Sequence, residues 1–260
     1  MGAVELERHG SVAVLRLNDP QSMNALSAAV KQGLDVNVAT ALADASLRCL
    51  VITGAGKAFC AGGDIRAMQD PTQRKAPAVR ARMQAVHTWS RALLDADKPV
   101  VAAVNGPAVG GGLAFALLAD IVIASSAAYF MSGYAKLGAL PDLGVLQTLP
   151  WAIGSLRAKE MIMLNRRYGA EEAVAIGLAN RCVTPDKLMP EALAVARELA
   201  DGPGPMLTMS KVMMKRAYES SVEAFFEREA MAQSVAFGSA AFAEGVDAFL
   251  HKRHPKFSGE

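Results

Sequence analysis

The sequence lacks the features that announce several common classes of protein. Its charge is nearly balanced, 27 Lys and Arg against 25 Asp and Glu for a formal net charge of +2, which is no electrostatic footprint for a nucleic-acid backbone. Cysteine is scarce: Cys49, Cys60 and Cys182 stand alone, with no Cys-x-x-Cys spacing. Three dispersed thiols fit a reduced, cytoplasmic setting, and neither a disulfide framework nor a structural metal is expected. There is no GxGxxG and no GxxxxGK[ST], so no dinucleotide or triphosphate loop is indicated. The N-terminus, MGAVELERHG, has no apolar h-region, and Leu6 stands where a myristoylation signal needs Ser or Thr. The uncharged run from Pro99 to Ala119 is broken by Asn105, Pro107 and four glycines, and so reads as core and not as a membrane span.

What is present is a large apolar fraction, 52% of 260 residues, ample for a sizeable core. SVAVLRLND (11–19) alternates like a half-buried strand. CLVITG (49–54), PVVAAVNG (99–106) and DIVIAS (120–125) are continuous apolar runs of the kind found in strands covered on both faces. Helical patterns at Ser27–Ala45 and Val79–Ala96 separate them, which predicts an α/β fold with a largely parallel sheet. From about Ala158 the pattern is helix upon helix, with a Pro/Gly break at DGPGP (201–205). The expected organisation is a core over 1–200 and a helical segment over 201–260. QDPTQRKAPAVRAR (69–82), polar and proline-broken, reads as a mobile loop.

Two glycine-bearing turns each follow an apolar strand: TGAGKAFCAGGDI (53–65) and NGPAVGGGLAF (105–115). Glycine at the exit of a strand lets backbone N–H groups approach a ligand, and together the turns can hold an anion. Read alone, either is also simply a tight strand-to-helix turn.

Together with NDPQSMNALS (18–27), FMSGYAKLGALPDLGVLQTLP (130–150) and FGSAAFAEGVDAFLHKRHPKF (237–257), these turns resemble the enoyl-CoA hydratase/isomerase, or crotonase, family over nearly the whole chain. The resemblance implies a spiral of ββα units, a C-terminal helical segment that assembles trimers or pairs of trimers, and an acyl-CoA thioester as substrate. Coenzyme A belongs to that substrate, and no separate cofactor is implied. By motif position, the amides of Ala61 and Gly111 would bind the thioester oxygen. Donors fixed in advance at an enolate oxyanion stabilise it, and losing one costs about 3 kcal/mol. Asn24, Ala25 and Leu26, with Gly62, Gly63, Asp64 and Ile65, would line the coenzyme and thioester. Lys252, in a basic cluster with Arg253 and Lys256, would approach the phosphates.

The two glutamates usual in hydratases of this family are replaced by Ala114 and Tyr134. Adding water to a double bond needs a base and a proton source, so ordinary hydration is not expected. One carboxylate remains: Asp142 in GALPDLG matches the position of the single acid of isomerase members, including enoyl-CoA isomerases and the ring-epoxide isomerases of phenylacetate degradation. A single carboxylate can move a proton from C2 to C4 of a 3-enoyl thioester if both carbons are within reach. Asp142 also reads as the N-cap of a short helix, and Tyr134 as a substrate-orienting group or a pocket wall. Asp64 reads better as a brace for its loop, and His9, His87, His251 and His254 as structural or solvated. The expected activity is enoyl-CoA isomerisation through Asp142. Hydration by other groups, a catalytically silent acyl-CoA binder, and an RNA-binding scaffold, which the balanced charge disfavours, are the alternatives.

Overall fold

The computed structural model describes residues 2–257; Met1 and residues 258–260, the outer ends of the two expected segments, lie outside the described residues. The chain builds a six-stranded sheet in the order β1-β2-β3-β4-β6-β9 and a three-stranded sheet in the order β5-β7-β8. The strands are β1 (Val4–His9), β2 (Val12–Leu17), β3 (Cys49–Gly54), β4 (Val100–Val104), β5 (Ala108–Val109), β6 (Ile121–Ser125), β7 (Tyr129–Met131), β8 (Arg167–Gly169) and β9 (Arg181–Val183). In the larger sheet β1 is antiparallel to β2, and every other pairing is parallel.

The continuous apolar runs follow from burial on both faces. Ala13, Leu15, Leu17, Leu50, Ile52, Ala102, Val104 and Ala124 point into the larger core, which also takes in the buried sides of helices α1 (Ala28–Ala43), α2 (Ala76–Leu94) and α3 (Gly111–Ala116). Their alternates, Val12, Val14, Val51, Val101, Ala103 and Ile123, pack on the opposite face against α7 (Leu188–Ala200). Helices α4 (Val145–Ile153), α5 (Ser155–Met163) and α6 (Ala170–Ala175) lie between β7 and β9 in the chain. Pro71 and Pro77 do not leave 69–82 a loop. Pro71 opens a single 3-10 turn over Pro71–Arg74, and Pro77 sits in the first turn of α2, where its missing N–H costs nothing.

Three helices close the described chain: α8 (Gly204–Arg216), α9 (Val222–Phe237) and α10 (Ala240–Leu250). Polar contacts tie this segment to the sheet. Lys211 Nζ donates to Asp120 Oδ2 at 2.8 Å, and that same oxygen accepts from the Val100 amide at 2.8 Å. Arg48 donates to Gly202 O at 2.7 Å and to Phe257 O at 3.2 Å. Among the described residues no helix is long and apolar enough to cross a membrane.

Candidate active site

β3 and β4 are parallel neighbours, so the two glycine-bearing turns leave the same edge of the sheet side by side. Backbone hydrogen bonds weld them. The amides of Phe59 and Cys60 donate to Pro107 O at 3.2 and 3.1 Å, and the Val109 amide returns a bond to Cys60 O at 3.0 Å. Leu26, just before α1, donates to Gly62 O at 2.7 Å, and Gly110 to Met131 O at 3.0 Å. Four segments distant in sequence thus meet at one place.

Two glycines make this approach possible. A Cβ on Gly112 would lie 2.0 Å from Cys60 O, closer than any atom can come, so the first turn of α3 lies against the other loop only without a side chain. Gly62 has φ +92°, and a Cβ there would lie 2.6 Å from Val109 O and 3.2 Å from the Gly111 nitrogen.

The amides at this junction differ from the expectation in one respect. The Ala61 N–H donates to Met23 O at 3.0 Å, so it is not free for an incoming oxygen. The reason lies in the 19–26 segment. Met23 and Asn24 both adopt the left-handed region, at φ 53° and 56°, which turns the Met23 carbonyl toward Ala61. Among the described residues the amides of Gly63 and Gly111 have no acceptor. That of Gly111 is one of the free N–H groups at the start of a helix.

Beside Gly110 and Gly111 stand Tyr134 and Leu143. The Tyr134 Cζ lies 4.0 Å from a Cβ built on Gly110, and a Leu143 methyl 3.4 Å from one built on Gly111. Asp142 precedes Leu143, and its Oδ1 accepts a hydrogen bond from the Tyr134 hydroxyl at 2.7 Å. Tyr134 is 8% exposed and Asp142 half-buried. Burial first, and then the Asp142 carboxylate, push the Tyr134 phenol well above its ordinary range, so it stays a donor. The N-cap reading of Asp142 does not hold: Gly144, at φ 78°, caps α4 without any side-chain bond. Ala114, at the first missing glutamate, is fully buried in the apolar core.

The residues expected to line the coenzyme divide. Asn24 is fully buried and belongs to the framework. Its Oδ1 accepts from the Asp19 amide at 2.9 Å, and its Nδ2 donates to Ala55 O at 2.9 Å and Ala58 O at 2.8 Å, so both side-chain N–H donors are used within the loop. Leu26 is buried with its side chain against Gly111, and Ala25 is half-buried beside it. Asp64 braces its loop, Oδ1 accepting from the amides of Arg66 at 3.1 Å and Ala67 at 3.4 Å. Ile65 is 56% exposed at the rim. Lys252 is exposed beyond α10 and has no side-chain partner among the described residues.

Lys31, the fourth residue of α1, was not singled out by the sequence, since a lysine on an amphipathic helix carries no signal. It is half-buried. Burial first and then Arg82 of α2 push its ammonium below the ordinary lysine range, while the carboxylates of Asp64 and Asp142 act in the opposite sense.

This arrangement has close counterparts. The family model described as enoyl-CoA hydratase/isomerase matches residues 7–260. The chain belongs to the enoyl-CoA hydratase/isomerase family. It is similar to the probable enoyl-CoA hydratase echA8 of Mycobacterium bovis, 37% identical over 97% of this chain and 96% of that one. It is also similar to the 1,2-epoxyphenylacetyl-CoA isomerase of Escherichia coli, 36% identical over 96% and 95%. Among solved structures, an enoyl-CoA hydratase/isomerase from Cupriavidus metallidurans superposes with a TM-score of 0.93 at 32% identity, over 99% of this chain and 96% of that one. The α/β architecture is therefore the crotonase fold.

Proposed function

We propose that this family member is an enoyl-CoA isomerase that moves a double bond within an acyl-CoA thioester, with Asp142 carrying the proton. The observation that carries the reading is the pairing of one carboxylate, Asp142, with the Tyr134 phenol beside the glycine junction, with Ala114 where a second acid would stand. In this reading the thioester oxygen lies between the amides of Gly63 and Gly111. Asp142 takes a proton from C2, the amides hold the dienolate oxygen, and Asp142 returns the proton to C4. Tyr134 keeps the carboxylate aimed and, being protonated, offers no second base. Hydration would require a proton source beside the base, and the Tyr134 phenol, its pKa raised by burial and by Asp142, is a weak one.

The coenzyme A moiety enters with the substrate, and no further cofactor is assigned. The exposed apolar residues of the last helices, among them Phe226, Met231, Phe237 and Phe249 at 57–83% exposure, support assembly as a homotrimer or a dimer of trimers. Unpaired Cys49, Cys60 and Cys182 support a cytoplasmic setting. The deciding experiment incubates the enzyme with a 3-enoyl-CoA in heavy water and follows product position by NMR. Deuterium at C2 or C4 with migration of the double bond, both abolished in Asp142→Asn, supports the isomerase. Exchange that survives in Asp142→Asn rejects Asp142 as the base, and hydrated product with no migration rejects isomerisation.

A further inference from the structure

The chain enters α4 through a conformation that one of its own residues disfavours. The Val145 amide donates to Asp142 O at 3.1 Å, and the two residues between them, Leu143 and Gly144, lie at φ 54° and 78°. This is the form of a type I′ turn, whose central positions draw glycine, asparagine and aspartate. Gly144 is exposed and suits it. Leu143 does not, since a bulky side chain at positive φ is an outlier. Its side chain is what holds it there. Leu143 is 4% exposed, within the larger core, and one of its methyls lies 3.4 Å from a Cβ built on Gly111. A Leu26 methyl lies 2.8 Å from the same point, so the two leucines fill the space that a side chain at position 111 would take. Strain of this kind persists only where the surroundings over-determine it, and it gathers at sites that need a fixed geometry.

We propose that Leu143 is a positioning residue: its buried side chain locks the left-handed turn against Gly111 and so fixes the Asp142 carboxylate relative to the oxyanion donor. The inference rests on the isomerase reading for the role of Asp142. Leu143 joins the two halves of that chemistry, next to Asp142 in the chain and packed on the residue whose amide is assigned to the thioester oxygen. A one-base proton shift depends heavily on aim, because a single carboxylate must reach both C2 and C4 of a substrate whose oxygen is held still. The Tyr134 bond restrains the carboxylate itself, and Leu143 restrains the backbone that carries it. Glycine at 143 would suit the turn better and tie it to α3 less well.

The test compares Leu143→Ala, Leu143→Gly and Leu143→Met with the wild type in two ways. One is turnover of a 3-enoyl-CoA in heavy water. The other is the NMR resonance of isotopically labelled Tyr134 Cζ, which reports the bond to Asp142 with no substrate present. Loss of the anchor in Leu143→Ala and Leu143→Gly should lower kcat about tenfold or more with KM within about twofold of wild type. It should also raise the ratio of deuterated starting ester to migrated product, and move the Tyr134 resonance toward its position in Asp142→Ala. Leu143→Met refills the space and should restore most of the rate. Leu143→Gly, which relaxes the backbone, serves alone if Leu143→Ala does not fold. A folded Leu143→Ala or Leu143→Gly protein with wild-type kcat and an unmoved resonance overturns the proposal. A change in KM alone also overturns it, since that would make Leu143 a wall of the pocket. If the wild type moves no double bond, the isomerase reading fails by itself; a shifted Tyr134 resonance in the variants then still supports the tie, and an unmoved one overturns it.

Discussion

The hydroxyl of Tyr134 donates to Oδ1 of Asp142 across 2.7 Å, and the two residues reach each other over eight positions of chain that contain a left-handed turn at Gly138. The bond uses one carboxylate oxygen and leaves the other for a substrate proton. Asp142→Asn keeps the shape and removes the basicity, so turnover should fall by about 10²–10⁴-fold, the usual worth of a positioned acid–base group. Tyr134→Phe removes only the aim. Its loss should be smaller, about threefold to tenfold, and should fall on kcat with KM nearly unchanged. Steady-state kinetics on the two variants checks this, and a Tyr134→Phe defect as deep as that of Asp142→Asn would make the phenol a proton carrier in its own right.

The same phenol gives the fold an alkaline limb. Its folded pKa lies above the value of about 10 that it takes in the unfolded chain, so the native state holds a proton that the unfolded state releases. Stability from this source is complete below about pH 10 and is lost as pH rises through the folded value. The buried thiols of Cys49 and Cys60, pushed up to about 12 chiefly by burial, act in the same direction from about pH 9 upward. Urea midpoints measured from pH 8 to 11 should fall steadily, and the fall should be shallower in Tyr134→Phe and in Cys60→Ala. Identical slopes in all three proteins would contradict the burial of these groups.

Asn24, expected from the resemblance to line the coenzyme, is buried and holds its own loop. Its three hydrogen bonds tie Asp19 to the strand-exit turn at Ala55–Ala58, and they hold a left-handed residue that asparagine tolerates well. Asn24→Ala leaves two buried carbonyls and an amide without that partner, at about 1–3 kcal/mol for an unsatisfied group, and a total loss of about 2–4 kcal/mol is expected by chemical denaturation. Affinity for free coenzyme A, measured at a temperature where the variant is folded, should be little changed; a large selective loss would restore the ligand-binding role.

Much of the architecture was legible because the strands are buried on both faces. Cys49–Gly54, Val100–Val104 and Ile121–Ser125 stand within the apolar runs that announced them, and α1 occupies all but the ends of the expected Ser27–Ala45. The first strand, VELERH, escaped notice because four of its six side chains are only half-buried and the charged ones mask the alternation. β5, β7, β8 and β9 are two or three residues long, too short for any period to register. At the site, the glycine turns could be read from the sequence and Asp142 from the family resemblance, but the use of each backbone amide could not. The Ala61 bond depends on the direction of the Met23 carbonyl, which is set by two left-handed residues far back in the chain.

Gly112 isolates the steric demand of the junction from its chemistry. An alanine methyl would sit 2.0 Å from Cys60 O, so either α3 moves away or the 58–63 loop does, and the two carry the proposed oxyanion donors of Gly111 and Gly63. Overpacking of this kind costs about 1–3 kcal/mol or more. Gly112→Ala should therefore lower the melting temperature and abolish turnover together, whereas Gly138→Ala, whose Cβ meets nothing within 4 Å, should retain turnover despite its strained φ of 63°. Full activity in a folded Gly112→Ala protein would show that the two loops need not lie this close.

The assignment of the amides can be tested by removing single N–H groups without changing any side chain. Replacing Gly63 by glycolic acid, or Ala61 by lactic acid, converts one backbone amide to an ester and deletes one donor. The Ala61 N–H is already given to Met23 O at 3.0 Å, whereas that of Gly63 has no acceptor among the described residues. An ester at 63 should thus leave stability nearly intact and lower kcat by about 10²–10³-fold, the effect of losing one oxyanion donor. An ester at 61 should do the opposite, with a stability loss of about 1 kcal/mol and a catalytic rate within a few-fold of wild type. If the two substitutions exchange these effects, substrate binding must pull Ala61 off Met23, and the 19–26 turn would then be a moving part of the active site.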